Sequence, residues 1–168
     1  MTTKQTDPRE RAARFLDYLR RLKNDRGAMA DLRRALNPVQ RHRAWPMLAR
    51  FGGIDDARFE TVAGLFAYHP EEARDGNLGT TCRRLSGEHN TFEGRFRRLL
   101  SCDRDDICEH IRPVVLAAGS KGIPVNYEEL LADLIYWSDA VKVRWAVEFW
   151  GSAAEEKTGA TSKGEVAP

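Results

Sequence analysis

Asn126-Tyr127-Glu128-Glu129-Leu130-Leu131-Ala132-Asp133-Leu134-Ile135 decides the fold class. Tyr127, Leu130, Leu131, Leu134 and Ile135 recur at the i, i+3, i+4, i+7, i+8 spacing of one helix face. Asn126, with Glu129 three residues on, gives a capping-box-like start. A strand would need strict apolar–polar alternation, and no alternating stretch stands out anywhere in the chain.

The same period continues outward in both directions. Towards the C-terminus, a last helix runs from about Asp139 to Trp150 and ends at Gly151. Towards the N-terminus, the loop Gly119-Ser120-Lys121-Gly122-Ile123-Pro124 is preceded by a helix carrying Ile107, Ile111, Val115 and Ala118, with Pro113 as a kink point. Phe92, Phe96 and Leu99 form the stripe before that. In the first half, Asp7-Pro8 is a cap followed by proline at the first helical position. Ala12, Phe15, Leu16, Leu19 and Leu22 follow as a stripe. Met29, Leu32 and Leu36 predict a second helix ended by Asn37-Pro38, and Trp45, Leu48 and Phe51 a third closed by Gly52-Gly53. Ala57 to Tyr68 is stopped by His69-Pro70, and Leu78 to Leu85 is broken by Ser86-Gly87. The reading is all-α, with two small helical bundles joined at Ser86–Asn90: an N-terminal lobe over 7–86 and a C-terminal lobe over 91–151. Residues 152–168 are small and polar and read as a disordered tail. No internal repeat is present.

The last helix is unusual. At 100° per residue, Val141, Trp145 and Phe149 share one side, while Val143, Ala146, Val147 and Trp150 cover most of the other. Such a helix is either central to its bundle or covered by another chain.

Composition narrows the function. The 168 residues, 42% hydrophobic and 31% charged, support a packed core and argue against membrane insertion. No run of roughly 18 apolar residues is present to cross a bilayer, and the polar start Met1-Thr2-Thr3-Lys4-Gln5 is unlike a secretory signal. Cys82, Cys102 and Cys108, odd in number and without CxxC spacing, read as reduced thiols of a cytoplasmic protein.

The net charge of +2 conceals alternating blocks: +8 over Arg9–Arg50, −4 over Asp55–Asp75, +3 over Arg83–Arg104 and −5 from Asp105 onward. Of the 27 basic residues 21 are arginine, whose planar fork grips phosphate in two places. A localised polyanion track fits this pattern. Arg33-Arg34, Arg83-Arg84 and Arg95-x-Arg97-Arg98 are the sharpest groups, each on a helix whose opposite face is apolar. The alternative is a solvated face with intrahelical ion pairs. It suits the first helix, where Glu10–Arg14 and Asp17–Arg21 sit at i,i+4, better than the paired arginines, which are expected to lack acidic helical neighbours. Arg41-His42-Arg43-Ala44-Trp45 allows base stacking, but Trp45 shares a face with Leu48 and Phe51 and is expected in the core.

No constellation reads as an active site. Cys108-x-His110 beside Asp105 and Asp106 matches no thiol or metal motif. There is no HExxH, no carboxylate arrangement for metal-assisted phosphodiester hydrolysis, and no GxxxxGK[ST] phosphate loop. Catalytic residues, metals and cofactors are therefore expected to be none.

Several pieces together resemble the CasB family, the small subunit of the type I-E CRISPR Cascade surveillance complex. They are Leu32-Arg33-Arg34-Ala35-Leu36; Phe66 to His69 with Asn77-Leu78-Gly79; Phe96-Arg97-Arg98-Leu99-Leu100 running to Cys102-Asp103-Arg104; Ile111-Arg112-Pro113; and Asp133-Leu134 through Tyr136-Trp137 to Lys142, Arg144, Trp145 and Phe149-Trp150. The order and spacing, over about residues 10–150, carry the resemblance. It implies an all-helical, non-enzymatic protein present in two copies beside the backbone and large subunits of the complex. Its partners would be the CRISPR RNA–target DNA heteroduplex and the displaced DNA strand, whose R-loop it stabilises while base pairing supplies sequence specificity. Carried onto this chain, it implies nucleic-acid contacts at Arg33, Arg34, Arg83, Arg84, Arg95, Arg97, Arg98, Lys142 and Arg144. Arg104 and Arg112 are weaker candidates, since acidic residues lie near both. Two other readings stay open: a stand-alone regulator with a helix-turn-helix in residues 28–50, which Asn37-Pro38 and Pro46 make awkward, and a helical protein–protein adaptor.

Overall fold

The structure, a computed structural model, describes residues 7–87 and 91–151. The expected tail and part of the expected seam lie outside the described residues. Among those described, all regular structure is helical apart from one isolated bridge between Glu72 and Val125.

Local chemistry sets the helix ends. Helix α1 (Pro8–Leu22) starts at Asp7, whose carboxylate accepts from the Arg9 N–H at 3.1 Å, and buries Ala12, Phe15, Leu16 and Leu19. Helix α2 (Arg26–Arg33) is capped by Asp25 through the Ala28 N–H at 3.0 Å. It then tightens into a 3-10 turn over Arg34–Leu36 before Asn37 turns extended. Helix α3 (Trp45–Leu48) is a single turn flanked by 3-10 turns at Arg41–Arg43 and Ala49–Phe51, stopped by Gly52 in the left-handed region. Next come α4 (Ala57–Tyr68), α5 (Leu78–Ser86), α6 (Glu93–Ser101) and α7 (Ile107–Ser120). Helix α8 (Tyr127–Ile135) starts as its sequence predicts, with Asn126 accepting from the Glu129 N–H at 3.2 Å. Helix α9 (Asp139–Ala146) runs on into a π turn over Val147–Gly151.

The central helix is α4, in which every residue from Phe59 to Ala67 is buried. Helices α2, α7 and α8 surround it, and α1 packs on α8. Helices α5, α6 and α9 pack together, α9 and its π turn lying on α5, with Phe96 of α6 stacked on Phe149 at 4.2 Å. Gly79 allows the α5–α9 approach, because a Cβ there would collide with the Trp145 carbonyl.

The chain boundary at Ser86 is therefore not a boundary in the packing. Helix α8, from the second half, completes the first group, and α5 belongs with the second. Two loops fasten them further. Ala73 N–H donates to Val125 C=O at 3.0 Å and Val125 N–H to Glu71 C=O at 3.1 Å. Buried Tyr127 donates its hydroxyl to His69 C=O at 2.6 Å, and His69 Nε2–H donates to Ile123 C=O at 2.6 Å.

Helix α9 meets neither expectation for it in full. Val141, Trp145 and Phe149 are buried against its neighbours, while Val143 and Val147 stand open to solvent. Trp45 is half-buried rather than core: Arg41 covers its ring at 5.3 Å and its Nε1–H donates to buried Glu60 at 3.3 Å.

Candidate nucleic-acid interface

Helices α2, α5, α6 and α9 and the 3-10 turn after α2 carry the nine candidate cations. Helix α5 is built by an Asn77–Thr80 capping box, with Asn77 Oδ1 accepting from Gly79 N–H at 2.9 Å and Asn77 N–H donating to Thr80 Oγ1 at 3.2 Å. Cys82 and Leu85 are buried, which turns Arg83 and Arg84 outward in the last turn, where the helix dipole favours cations. On α6, buried Phe96 and Leu99 leave Arg95, Arg97 and Arg98 exposed. Arg33 ends α2 and Arg34 opens the 3-10 turn. Lys142 and Arg144 sit on α9, Lys142 over the Trp137 ring at 5.7 Å.

The expectation that the paired arginines lack acidic helical neighbours fails at two positions. Arg34 lies 3.7 Å from Asp31, one turn back, and Arg97 lies 2.9 Å from Glu93 at i,i+4. Arg97 also covers the Trp150 ring at 5.1 Å, whose Nε1–H donates to the same Glu93. Arg144 lies 3.5 Å from buried Asp133. For Arg33, Arg83, Arg84, Arg95, Arg98 and Lys142 no carboxylate stands within ion-pair distance among the described residues. Exposed pairs such as Arg97–Glu93 are worth only a few tenths of a kcal/mol to about 1 kcal/mol, so a phosphate can compete for them.

Four arginines of the strongly basic block of residues 9–50, all outside the candidate set, lie in ion pairs. Arg9 binds Glu129, Arg14 binds Glu10, Arg20 gathers Asp17, Glu72 and Glu128, and Arg41 gathers Asp55 and Glu60. The Arg9 and Arg20 pairs fasten α1 to α8 and to the Glu72 loop, whereas Arg14–Glu10 is an exposed pair within α1 and Arg41 joins the α3 region to α4 and the loop before it.

Two clefts hold three of the candidate cations, Arg33, Arg95 and Arg98. Arg95 and Arg98 line a groove of about 340 Å³ between α6 and α7, with Leu99, Glu109, His110, Pro113 and Val114. Arg33 lines a second of about 490 Å³ with Tyr68, Leu36, Pro38, Leu116 and Arg112. On α7, His110, Pro113 and Val114 face the first cleft while Arg112 and Leu116 face the second.

Arg112, a weaker candidate in the sequence because of its acidic neighbours, is placed differently in space. No carboxylate pairs with it among the described residues. Its Nη1 and Nη2 make long bonds of 3.4 Å to Leu36 C=O and Thr61 Oγ1, and its Nε is buried with no partner. Acidic residues near it in sequence point elsewhere in space. Arg104, by contrast, donates to Trp137 C=O at 3.3 Å and borders a depression rimmed by Asp55, Asp56 and Asp105.

Other chemistry finds little footing. All three cysteines are buried; burial pushes the Cys108 thiol up to about 11 and also raises those of Cys82 and Cys102, so none is a thiolate at neutral pH. Among the described residues no group of three or more His, Cys, Asp or Glu gathers as a metal site, and no helix is long and apolar enough to cross a membrane. Residues 28–50 break into short helices and 3-10 turns, and the single turn of α3 is too short to serve as a recognition helix.

Comparison with known proteins places these features in a family. The sequence profile of the family described as CRISPR-associated protein Cse2 matches residues 28–150. The CRISPR-associated protein Cse2 of Thermus thermophilus is 34% identical over 163 residues, covering 86% of this chain and 92% of that relative. Among solved structures, CasB from Thermus thermophilus superimposes with a TM-score of 0.67 at 31% identity, over 83% of this chain and 97% of that one. M. ruber CasB gives 0.72 at 25% identity, over 88% and 97%. A chain of a CRISPR RNA-guided surveillance complex gives 0.74 over 90% and 98%; at 20% identity that likeness is one of fold.

Proposed function

The chain belongs to the CRISPR-associated Cse2 family, and from that premise we propose that it is the small, non-catalytic subunit of a type I-E Cascade. In this reading it works in the cytoplasm beside the backbone and large subunits and a second copy of itself. It holds the sugar–phosphate backbone of the target or displaced strand and so stabilises the R-loop against reclosure.

The observation that carries this is the division of labour among the cations. Arg9, Arg14, Arg20 and Arg41 lie against carboxylates, while Arg33, Arg83, Arg84, Arg95 and Arg98 are exposed with no carboxylate within ion-pair distance among the described residues. Unpaired guanidinium groups on rigid helices position a polyanion without reading its bases.

Arg83→Ala/Arg84→Ala tests the reading in a reconstituted complex. R-loop formation should weaken by a similar factor on two unrelated targets with matched guides, because phosphate contacts carry no sequence information. Helix α5 should survive, since alanine is the better helix former. Loss of one target with retention of the other would mean base readout and would refute the backbone-holding role.

A further inference from the structure

The cleft beside α7 that contains Arg33 and Arg112 is built differently from the rest of the basic surface. Three features meet there. Arg112 is half-buried, has no ionic partner among the described residues, and spends its donors on two long bonds while its Nε has none. A guanidinium so placed carries a desolvation cost that a bound anion offsets. Arg33, on the opposite wall, is exposed and also unpaired. Its Nε–H donates to Ala67 C=O at 3.2 Å, holding its guanidinium over the Tyr68 ring at 5.9 Å. Tyr68 itself is 54% exposed at the end of an otherwise buried helix, an unusual position for an aromatic ring at the C-terminus of α4. Leu36, Pro38 and Leu116 complete an apolar floor and rim. The volume of about 490 Å³ falls within the range of small-ligand clefts, roughly 300–1,000 Å³.

Two guanidiniums with no carboxylate partner among the described residues, an aromatic ring 54% exposed beside one of them and an apolar rim match the parts of one nucleotide. We propose that this cleft captures a single unstacked nucleotide of a single strand, its base against Tyr68 and its phosphate on Arg33 and Arg112. The proposal rests on the nucleic-acid-binding role above and adds a stacking contact to what is otherwise a purely electrostatic surface. A duplex does not satisfy the cleft, because its bases are stacked on one another. The site therefore selects a displaced or melted strand over paired DNA without selecting sequence, since every base has a π face. A carboxylate-bearing segment of a neighbouring protein would satisfy the arginines, but it would leave the Tyr68 ring without a role.

The test uses the full chain and the reconstituted complex, with a single-stranded oligonucleotide carrying 5-iododeoxyuridine as the probe. On irradiation it should crosslink to Tyr68, and Tyr68→Leu should weaken single-strand binding by roughly 5- to 100-fold, the usual range for one base–aromatic stack. The salt dependence should stay unchanged, because no ionic contact is removed, and Tyr68→Phe should bind like the wild type. Arg112→Lys, which keeps the charge, should retain more affinity than Arg112→Met, and thermal melts of each variant separate binding loss from unfolding. Wild-type affinity in Tyr68→Leu, or crosslinks that map only to α5 and α6, would overturn the cleft while leaving the broader function standing. If the wild type binds neither single strands nor the R-loop, the broader function falls first. If Tyr68→Leu binds normally but no longer enters the complex, the occupant is a partner subunit and the proposal is wrong.

Discussion

Asp133 shows how one residue ties the core to the interface. It is buried on α8, accepts from the Trp145 indole N–H at 2.8 Å and lies 3.5 Å from Arg144, one of the candidate contacts. Burial raises its carboxyl to about 6, with Glu129 adding to the rise and Trp145 and Arg144 opposing it. A carboxyl raised in the fold binds more protons folded than unfolded between about pH 4 and 6, so stability falls as pH rises through that window and the cost is complete above it. At neutral pH the cost is at most about 3 kcal/mol. Asp133→Asn keeps the acceptor for Trp145 and removes the charge. Melting curves should find this variant more stable than the wild type at pH 7, with the gap closing towards pH 4.5. Parallel pH profiles for the two proteins would show that Asp133 stays neutral, or is fully compensated, in the fold.

At the scale of the elements, helix packing is decided by close approaches that periodicity does not report. Gly79→Ala would force a Cβ against the Trp145 backbone, which cannot move without shifting α9, and should destabilise by about 1–3 kcal/mol despite better helix propensity. Gly94→Ala on α6 meets nothing within 4 Å and should stabilise by roughly 0.5–1 kcal/mol. Denaturant titrations of both variants check the opposite signs; two changes of equal sign would contradict the α5–α9 contact. The helices themselves were legible, because caps such as Asp7-Pro8 and Asn126–Glu129 and stops such as Asn37-Pro38 act locally. Which helix is central was not. Helix α4 carries Glu60 and Thr61, which look like surface residues until Arg41 and Trp45 meet the first and Arg112 the second. The last helix, apolar nearly all round, drew attention that belonged to α4. The ion pairs at Arg34 and Arg97 were visible as Asp31 and Glu93 at helical spacing, whereas the freedom of Arg112 is a tertiary property that sequence neighbours misrepresent.

Across the whole molecule, the same residue type does two jobs, and the fold determines which. Arg9 and Arg20 lock α1 to α8 and the Glu72 loop, while Arg33, Arg83, Arg84, Arg95 and Arg98 stand exposed with no carboxylate within ion-pair distance among the described residues. Because α7 and α8 from the second half of the chain pack on α4, the buried apolar residues of both halves form one core cluster. The central claim, that the unpaired arginines and not basic charge in general hold the strand, is tested most directly by salt dependence. The logarithm of R-loop affinity should be measured against the logarithm of salt concentration for complexes carrying wild type, Arg95→Ala/Arg98→Ala, or Arg20→Ala/Arg41→Ala, the last pair each held by at least two carboxylates. Both variants lose the same formal charge. The account predicts a slope shallower by on the order of one unit for the first variant, from about 0.7 per single-strand phosphate contact, and an unchanged slope for the second. Equal slopes in all three complexes, or an equal loss in both variants, would contradict it.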